Sequence, residues 1–390
     1  MGTEKRTILV LLDYYLPGFK AGGPARSIAN LIHHLGDQFN FKIVSRDRDL
    51  GDERPYSDIK TDAWQSLGKC EVYYCSPQAL AFLAVREIIA STKHDVLYLN
   101  SCFSPAFALK PLLLRRLGFI PKKRLILAPR GELSKGALAL KTLKKRAYLL
   151  FARAIQLYRG VTWQASSAYE KHDILRIVMP HPKFVIVAPD LPGSASPGKV
   201  SRKRKKARGH LKLAFLSRIS PKKNLVGALR MLAGVRGEVK FNIYGPIEDK
   251  EYWEECKKII ASLPANIEVR YLGAIANEQV AEVLAEHDLF FFPTHGENFG
   301  HVIWEAFASG CPVLISDQTP WQDLKEKGVG WNLPLNRPDL FEGALQEYLE
   351  MDEASHKMFS ERAQIFGRAK ILDQVVVEQN QQLFSGDAGV

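Results

Sequence analysis

Short apolar segments recur along this chain with room for one helix between neighbours, and they do so in two series. The first comprises "RTILVLL", "FKIVS", "CEVYYC", "DVLYLN", "RLILAPR", "VTWQASS" and "FVIVAP". The second comprises "LKLAFLSR", "VKFNIYG", "IEVRYLG", "DLFFFP", "CPVLISD" and "GVGWNLP". Runs this uniformly apolar suit parallel strands covered by helices on both faces, not half-solvated antiparallel strands. Helical stretches fall between them at 24–35, at 105–117, in the long "ALALKTLKKRAYLLFARAIQ" and in "EQVAEVLAEH". The expected fold class is therefore α/β, with two doubly wound, Rossmann-like domains facing across a cleft and ligands at the carboxyl ends of the strands.

Between the two series the pattern breaks into "DLPGSASPGKVSRKRKKARGH", where Pro, Gly, Ser and basic residues dominate as in an exposed connection. A chain of 390 residues also exceeds one comfortable core. The expected division is a first Rossmann-like domain over 1–195, a basic linker or loop over 196–210 and a second Rossmann-like domain over 211–370. A C-terminal helix and tail over 371–390 is expected to pack back on the first domain.

No apolar run is long enough for a membrane span. The start "MGTEKRTILVLLDYY" has no small-residue cleavage signal and reads as a buried first strand, and Arg6 stands where a myristoylation signal wants Ser or Thr. Five cysteines without a CxxC pair point to reduced thiols and a cytoplasmic location. The formal charge of +12 is uneven: residues 110–159 hold fourteen Lys or Arg and a single acid, Glu132. Such asymmetry suits an anionic partner or membrane leaflet.

Candidate chemistry clusters at strand ends. In "AGGPARSIANLIHHL", Gly22 and Gly23 remove side chains where backbone can approach a ligand, and Pro24 suits a first helical turn. A tight turn makes the same demand, and GxGxxG is absent. In "LSRISPKKN", Arg218 and Lys223 place a donor fork and a mobile point charge five residues apart, suited to a diphosphate. Gly245, in "NIYGPIED", leaves room for a flat ligand, and the peptides around Ala274 and Ile275 are candidates for reading a base edge.

The stretch "PTHGENFGHVIWEAFASGCPVLISD" is the most informative. A buried strand ends at Pro293, a loop follows, and a helix begins at His301. Its amino terminus offers unpaired N–H groups, with Gly300 permitting close approach. Glu305, about 6 Å further along the helix axis, suits vicinal hydroxyls such as those of a ribose. Glu297, ahead of the helix, suits hydroxyls beyond the diphosphate. As the paired acids of a hydrolase they fit poorly, because a carboxylate at a helix amino terminus is held ionised. A metal site from His295, Glu297 and His301 lacks HExxH or another specific spacing.

With these motifs in place the chain resembles, over essentially its whole length, the retaining nucleotide-sugar glycosyltransferases of family four, with the GT-B architecture. The resemblance rests chiefly on "ENFGHVIWEAFASGCPVLISD", similar to the family's E-x7-E segment, and on "RISPKK" ahead of "YGP", with "GGP" and "LAPRGELSKGAL" as further similar pieces. It implies that Arg218 and Lys223 bind the donor diphosphate and stabilise the leaving nucleotide. It places Glu305 on the ribose and Glu297 on the transferred sugar. Gly22 and Gly23 would border donor phosphates and acceptor. Asn298, Phe299, Gly300, His301 and Val302 would complete the sugar and phosphate cradle. No cofactor or metal is implied, and transfer proceeds at the front face with retention. Asn298 departs from the family's usual Gly. Arg130 stands where many members have a histidine, and it cannot act as a base; donor phosphate or an acidic acceptor would be its partner. Glu132 is a lesser candidate for acceptor contact.

The acceptor is expected on the basic amino-terminal half, where "PLLLRRLGFIPKKR" and "LKTLKKRAYLLFARAI" mix cations with large apolar residues as interfacial elements do. A saccharide or lipid-diphosphate acceptor of surface polysaccharide assembly (lipopolysaccharide or capsule) follows, with the enzyme cytoplasmic and peripheral on the inner membrane. The rival readings are a sugar-nucleotide epimerase or phosphorylase on the same scaffold, and a nucleic-acid binder using "RKRKKARGH". The last run lacks interleaved aromatics, so no nucleic-acid partner is expected.

Overall fold

The computed structural model of the chain describes residues 5–139, 142–179, 181–193, 205–371 and 373–386. It divides into two compact units, Met1–Ser194 with Asp373–Val390, and Ala195–Leu372. The first contains β1 (Thr7–Leu11), α1 (Gly23–Leu35), β2 (Asn40–Arg46), β3 (Trp64–Leu67), β4 (Cys70–Cys75), α2 (Phe82–Ser91), β5 (Val96–Asn100), α3 (Lys110–Arg116), β6 (Arg124–Ala128), α4 (Lys135–Ala139), α5 (Thr142–Ala154), β7 (Val161–Ala165), α6 (Ala168–Val178) and β8 (Val185–Val187). The second contains β9 (His210–Leu216), α7 (Leu225–Leu232), β10 (Glu238–Tyr244), α8 (Lys250–Ser262), β11 (Ile267–Tyr271), α9 (Val280–Ala285), β12 (Leu289–Phe292), α10 (His301–Ala308), β13 (Val313–Ser316), β14 (Gly330–Leu333), α11 (Pro338–Leu349) and α12 (Glu353–Ile371). The last helix, α13 (Gln374–Ser385), returns to the first unit.

The first sheet runs β3-β4-β2-β1-β5-β6-β7-β8 and is parallel except for the β3–β4 pair. The second runs β11-β10-β9-β12-β13-β14 and is parallel throughout. The chain therefore winds outward in both directions from the β1/β5 boundary in one unit and from the β9/β12 boundary in the other. Helices crossing to opposite faces diverge at such a boundary, and ligands lodge where they part. Strand β12 shows why the sheet is sealed on both sides: Phe290, Phe291 and Phe292 are all fully buried, which a one-faced strand cannot achieve. Helix α1 instead buries one stripe, Ala25, Ile28, Leu31, Ile32 and Leu35, at helical spacing.

Three departures from the sequence expectations have physical causes. Strand β3, an antiparallel edge, was not anticipated; "WQSL" is too short to stand out and is held by a tight hairpin in which Gly68 takes φ 58°. The 105–117 helix opens as a wide turn, with Leu109 N–H donating to Ser104 C=O, before α3 begins at Lys110; Pro111 has no N–H to return to that turn. Of the long helix expected over 137–156, α4 and α5 are described, and residues 140 and 141 lie outside the described residues. Most of the basic linker, 194–204, and the tail 387–390 also lie outside them. The described end of that linker is packed instead of solvated: Lys206 is buried, and its ammonium donates to the carbonyls of Ala207, Leu349 and Met351.

Helix α13 docks through Phe384, whose ring lies 5.3–6.1 Å from those of Tyr98, Phe39 and Phe41. All five cysteines are buried. Among the described residues, no helix is long and apolar enough to cross a membrane.

Candidate active site

In the second unit the loops after β9 and β12 lie side by side because their strands are neighbours at the switch point. Asn224 ties the two loops together. Left-handed at φ 57°, it caps α7 by accepting from Gly227 N–H and donates its side-chain amide to Pro293 C=O at 2.8 Å. His295 N–H donates to Lys222 C=O at 2.9 Å, which fixes the register of the two loops.

This stitching brings together residues 74 positions apart. Lys223 Nζ lies 2.5 Å from Glu297 Oε1, and both side chains are about nine-tenths buried. The ammonium also sits 5.7 Å from the centre of the Phe292 ring, and Thr294 donates its hydroxyl to the same carboxylate oxygen at 3.3 Å. Burial pushes the Glu297 carboxyl up, but Lys223, aided by Lys222 and Arg218, more than offsets this and holds it below its usual value. Glu297 is thus an ionised hydrogen-bond acceptor, not a proton donor. Arg218 belongs to the same cationic field, though its guanidinium is tied to Glu248 at 2.7 Å.

Directly after Glu297, Asn298 carries a buried side-chain amide nitrogen that finds no protein partner among the described residues. Such a donor costs free energy unless something accepts from it. Gly300 then turns left-handed, at φ 76°, and starts α10 with no side chain capping it. A helix amino terminus favours an anion set ahead of it. The Phe299 carbonyl is pinned by the indole N–H of Trp321 at 2.5 Å, and its ring packs 4.9 Å from buried His301 and 5.4 Å from Trp321. Phe299 and His301 thereby hold the loop in place. Val302 and half-buried Glu305 follow on α10.

Gly245 is glycine for a different reason from the one anticipated. At φ 130°, a Cβ there would stand 1.9 Å from Ser217 C=O, so the crossing of two backbones dictates the residue without any ligand. Its N–H donates to Gly273 C=O at 2.8 Å, joining the loop that carries Ala274 and Ile275. Ala274 is exposed, and Ile275 leans partly on the core.

In the first unit, Gly22 adopts φ 76° just before α1, while a Cβ on Gly23 would meet no heavy atom within 4 Å. Arg130 proves to be a buried structural clamp. It takes φ 55°, forms an ion pair with Asp190, and donates to Tyr98 Oη at 2.7 Å and to Asn100 Oδ1 at 2.8 and 3.0 Å. With its nitrogens so engaged, the phosphate or acidic-acceptor role expected of it has no support in this geometry. Glu132 is likewise occupied, accepting from Ser101 Oγ and from the N–H groups of Cys102 and Phe103. It braces the turn after β5 instead of offering a contact to an acceptor, and burial pushes its carboxyl up.

Sequence reading missed Asn224, Thr294, Trp321, Asp190 and Glu170. Of these, only Asn224 carried a local signal, as a capping residue type ahead of the apolar run "LVGAL". Glu170 is buried and accepts from Gly131 and Ser166 N–H, steadying the Arg130 turn from the other side. Among the described residues, no group of three His, Cys, Asp or Glu side chains is close enough to hold a metal ion.

Residues 199–365 match the family described as Glycosyl transferases group 1. A phosphatidyl-myo-inositol mannosyltransferase of Mycobacterium tuberculosis is 35% identical over 83 residues, which is 21% of this chain and 22% of that protein. The match thus spans only about a fifth of that relative's length. Among solved structures, Alr3699/HepE of Anabaena, in complex with UDP and glucose, superposes with a TM-score of 0.68 at 19% identity, covering 97% of this chain and 98% of that one. WaaG, a glycosyltransferase involved in lipopolysaccharide biosynthesis, superposes with a TM-score of 0.66 at 13% identity, covering 97% and 100%. At these identities the structural likeness establishes the fold, which is GT-B.

Proposed function

Because residues 199–365 form a glycosyl transferases group 1 segment, we propose that the chain moves a sugar from a nucleoside-diphosphate sugar to a hydroxyl of an acceptor, with retention at the anomeric carbon. The observation that carries this reading is the Lys223–Glu297 pair set ahead of the uncapped start of α10. A cation and a row of N–H groups suit the diphosphate, and an ionised carboxylate suits the hydroxyls of the sugar it carries.

Lys223 and Arg218 would neutralise the leaving diphosphate as the glycosidic bond breaks, and the N–H groups from Gly300 onward would share that charge. Glu297 and the Asn298 amide would orient the sugar. Glu305, one turn along α10, would accept from the ribose hydroxyls. The departing phosphate takes the proton of the incoming hydroxyl, so no protein nucleophile and no protein base is needed. No metal enters this scheme, because cations of the chain take its electrostatic role. The acceptor is a saccharide or lipid-diphosphate intermediate of surface polysaccharide assembly, met at the cytoplasmic face of the inner membrane through the basic half of the first unit. The related mannosyltransferase and WaaG, by their names, act in lipid and lipopolysaccharide glycosylation, which supports that choice.

The test is a thermal-shift screen of UDP-, GDP- and ADP-sugars, followed by transfer assays on lipid-linked and soluble acceptors with the product anomer read by NMR. Stabilisation by one nucleotide sugar and a product of unchanged anomeric configuration are expected. Inversion would overturn retention, and epimerisation of the donor without acceptor would overturn transfer itself.

A further inference from the structure

Residues 47–63 connect β2 to β3 with no helix or strand of their own. A connection that long without secondary structure is uncommon unless it carries function. Its tip, residues 51–55, is exposed, yet Asp49 and Tyr56 on either side of the tip turn inward. Both meet the loop that leaves β1 and ends at Gly22, where α1 begins.

Asp49 is only 3% exposed. Its Oδ2 accepts from Phe19 N–H at 2.8 Å and from Lys20 N–H at 3.0 Å, and its Oδ1 accepts from Leu50 N–H at 2.8 Å. Burying a carboxylate costs free energy unless donors meet it. Here the donors are backbone amides, and two of the three belong to the loop after β1. The Phe19–Lys20 peptide, whose N–H Asp49 takes, gives its carbonyl to Gly22 N–H at 3.3 Å. Asp49 is thereby joined through one peptide group to the start of α1. Tyr56 donates its hydroxyl to Tyr15 C=O at 3.4 Å, and Tyr74 of β4 donates to Leu16 C=O at 2.5 Å. Lys20 Nζ pairs with Asp52 at 2.5 Å near the exposed tip. A Cβ on Gly18 would stand 2.1 Å from Tyr56 Oη and 2.9 Å from Asp49 Cγ, so the two loops nest only over a glycine.

The loop held in this way leaves the carboxyl end of β1, at the β1/β5 boundary where ligands of such a sheet lodge. The cation, carboxylate and helix start suited to a nucleotide sugar lie in the second unit. We propose that Asp49 is a positioning residue for the acceptor. By fixing the Phe19 and Lys20 amides it sets the backbone of residues 18–23, against which a saccharide hydroxyl is presented. Asp49 itself touches no substrate. The proposal rests on the sugar-transfer reading above, and amide exchange reports on the loop whether or not transfer occurs.

The experiment compares the wild type with Asp49→Asn, whose single acceptor oxygen cannot serve three N–H groups. Hydrogen exchange at the Phe19 and Lys20 amides is expected to quicken by about tenfold or more. Transfer from the UDP-, GDP- and ADP-sugars to octyl glycosides and lipid-linked saccharides is followed beside hydrolysis of the same donors by water. The acceptor kcat/KM is expected to fall by about tenfold or more, while hydrolysis and donor binding stay at the wild-type level. Asp52→Asn, which loosens only the exposed pair with Lys20, is expected to match the wild type. Gly18→Ala pushes on Asp49 and Tyr56 without replacing either, and it is read in the same way where Asp49→Asn does not fold. Unchanged exchange at Phe19 and Lys20 would overturn the proposal, as would an equal loss of transfer and hydrolysis, or an equal loss in Asp52→Asn. A wild type that transfers from none of the nucleotide sugars would instead overturn the sugar-transfer reading and the acceptor role with it, and the exchange data would still show whether Asp49 holds the loop.

Discussion

Lys223 and Glu297 form an ion pair of 2.5 Å inside the second unit, joining the loop after β9 to the loop after β12. Each is the other's condition for being buried, since an uncompensated charge at that depth is costly. Lys223→Ala is expected to lower kcat by about a hundredfold or more, through lost stabilisation of the leaving diphosphate. It also leaves Glu297 without its nearest cation, at a cost of about 3–5 kcal/mol. Lys223→Met combined with Glu297→Leu is expected to recover much of the stability and none of the activity. Denaturant unfolding beside steady-state kinetics checks both, and an active double variant would remove the pair from the mechanism.

The same pair sets a pH dependence. The Glu297 carboxyl is held below its usual value in the folded chain. Its contribution to stability is therefore complete above the ordinary carboxylate range, about pH 4–5, and is lost as pH falls through the folded value. The stability difference between the wild type and Glu297→Gln is expected to be largest near neutrality and to shrink in acid. Unfolding curves across that range show it; a difference that grows in acid would contradict the assignment.

Arg130 and Asp190 test scaffold against chemistry. Arg130→Ala strands a buried Asp190 and is expected to cost about 3–5 kcal/mol. Arg130→Lys is expected to recover only part, because one ammonium cannot serve Asp190, Asn100 and Tyr98 together. Nucleotide binding by the second unit should be unchanged in both. Full stability of Arg130→Ala with lost transfer would return Arg130 to the reaction.

Two glycines separate backbone need from ligand approach. Gly245→Ala places a Cβ 1.9 Å from Ser217 C=O and is expected to destabilise by several kcal/mol, because neither backbone can move aside. Gly23→Ala meets nothing within 4 Å and is expected to leave stability within about 0.5 kcal/mol. If Gly23 borders the substrates, its alanine variant still loses transfer. Thermal melts and rates on the two variants distinguish the cases.

Legibility followed the range of the interactions. The apolar strands, the α10 start at His301 and the stop at Gly310, which turns at φ 71°, were all visible because each is fixed by neighbours in sequence. The pairing of Lys223 with Glu297 was visible only as two residues suited to one ligand. Asp190 and Glu170 gave no sign of themselves, since their partners, Arg130 and Gly131, lie 60 and 39 positions away. For Arg130 and Gly245, a plausible ligand was inferred where a structural partner from another strand was present.

The sequence by itself determined the alternation of strand and helix, the division into two units and the residue types gathered at strand ends, because hydrophobic period, capping and turn chemistry act over a few residues. Only the tertiary structure decided which of those residues are spent on each other. Strand order places β9 beside β12, and that adjacency makes Lys223 and Glu297 a buried pair. It also encloses Arg130 among Tyr98, Asn100 and Asp190. Burial sets what each charge costs and therefore what it must hold, and burial is a property of the packed chain.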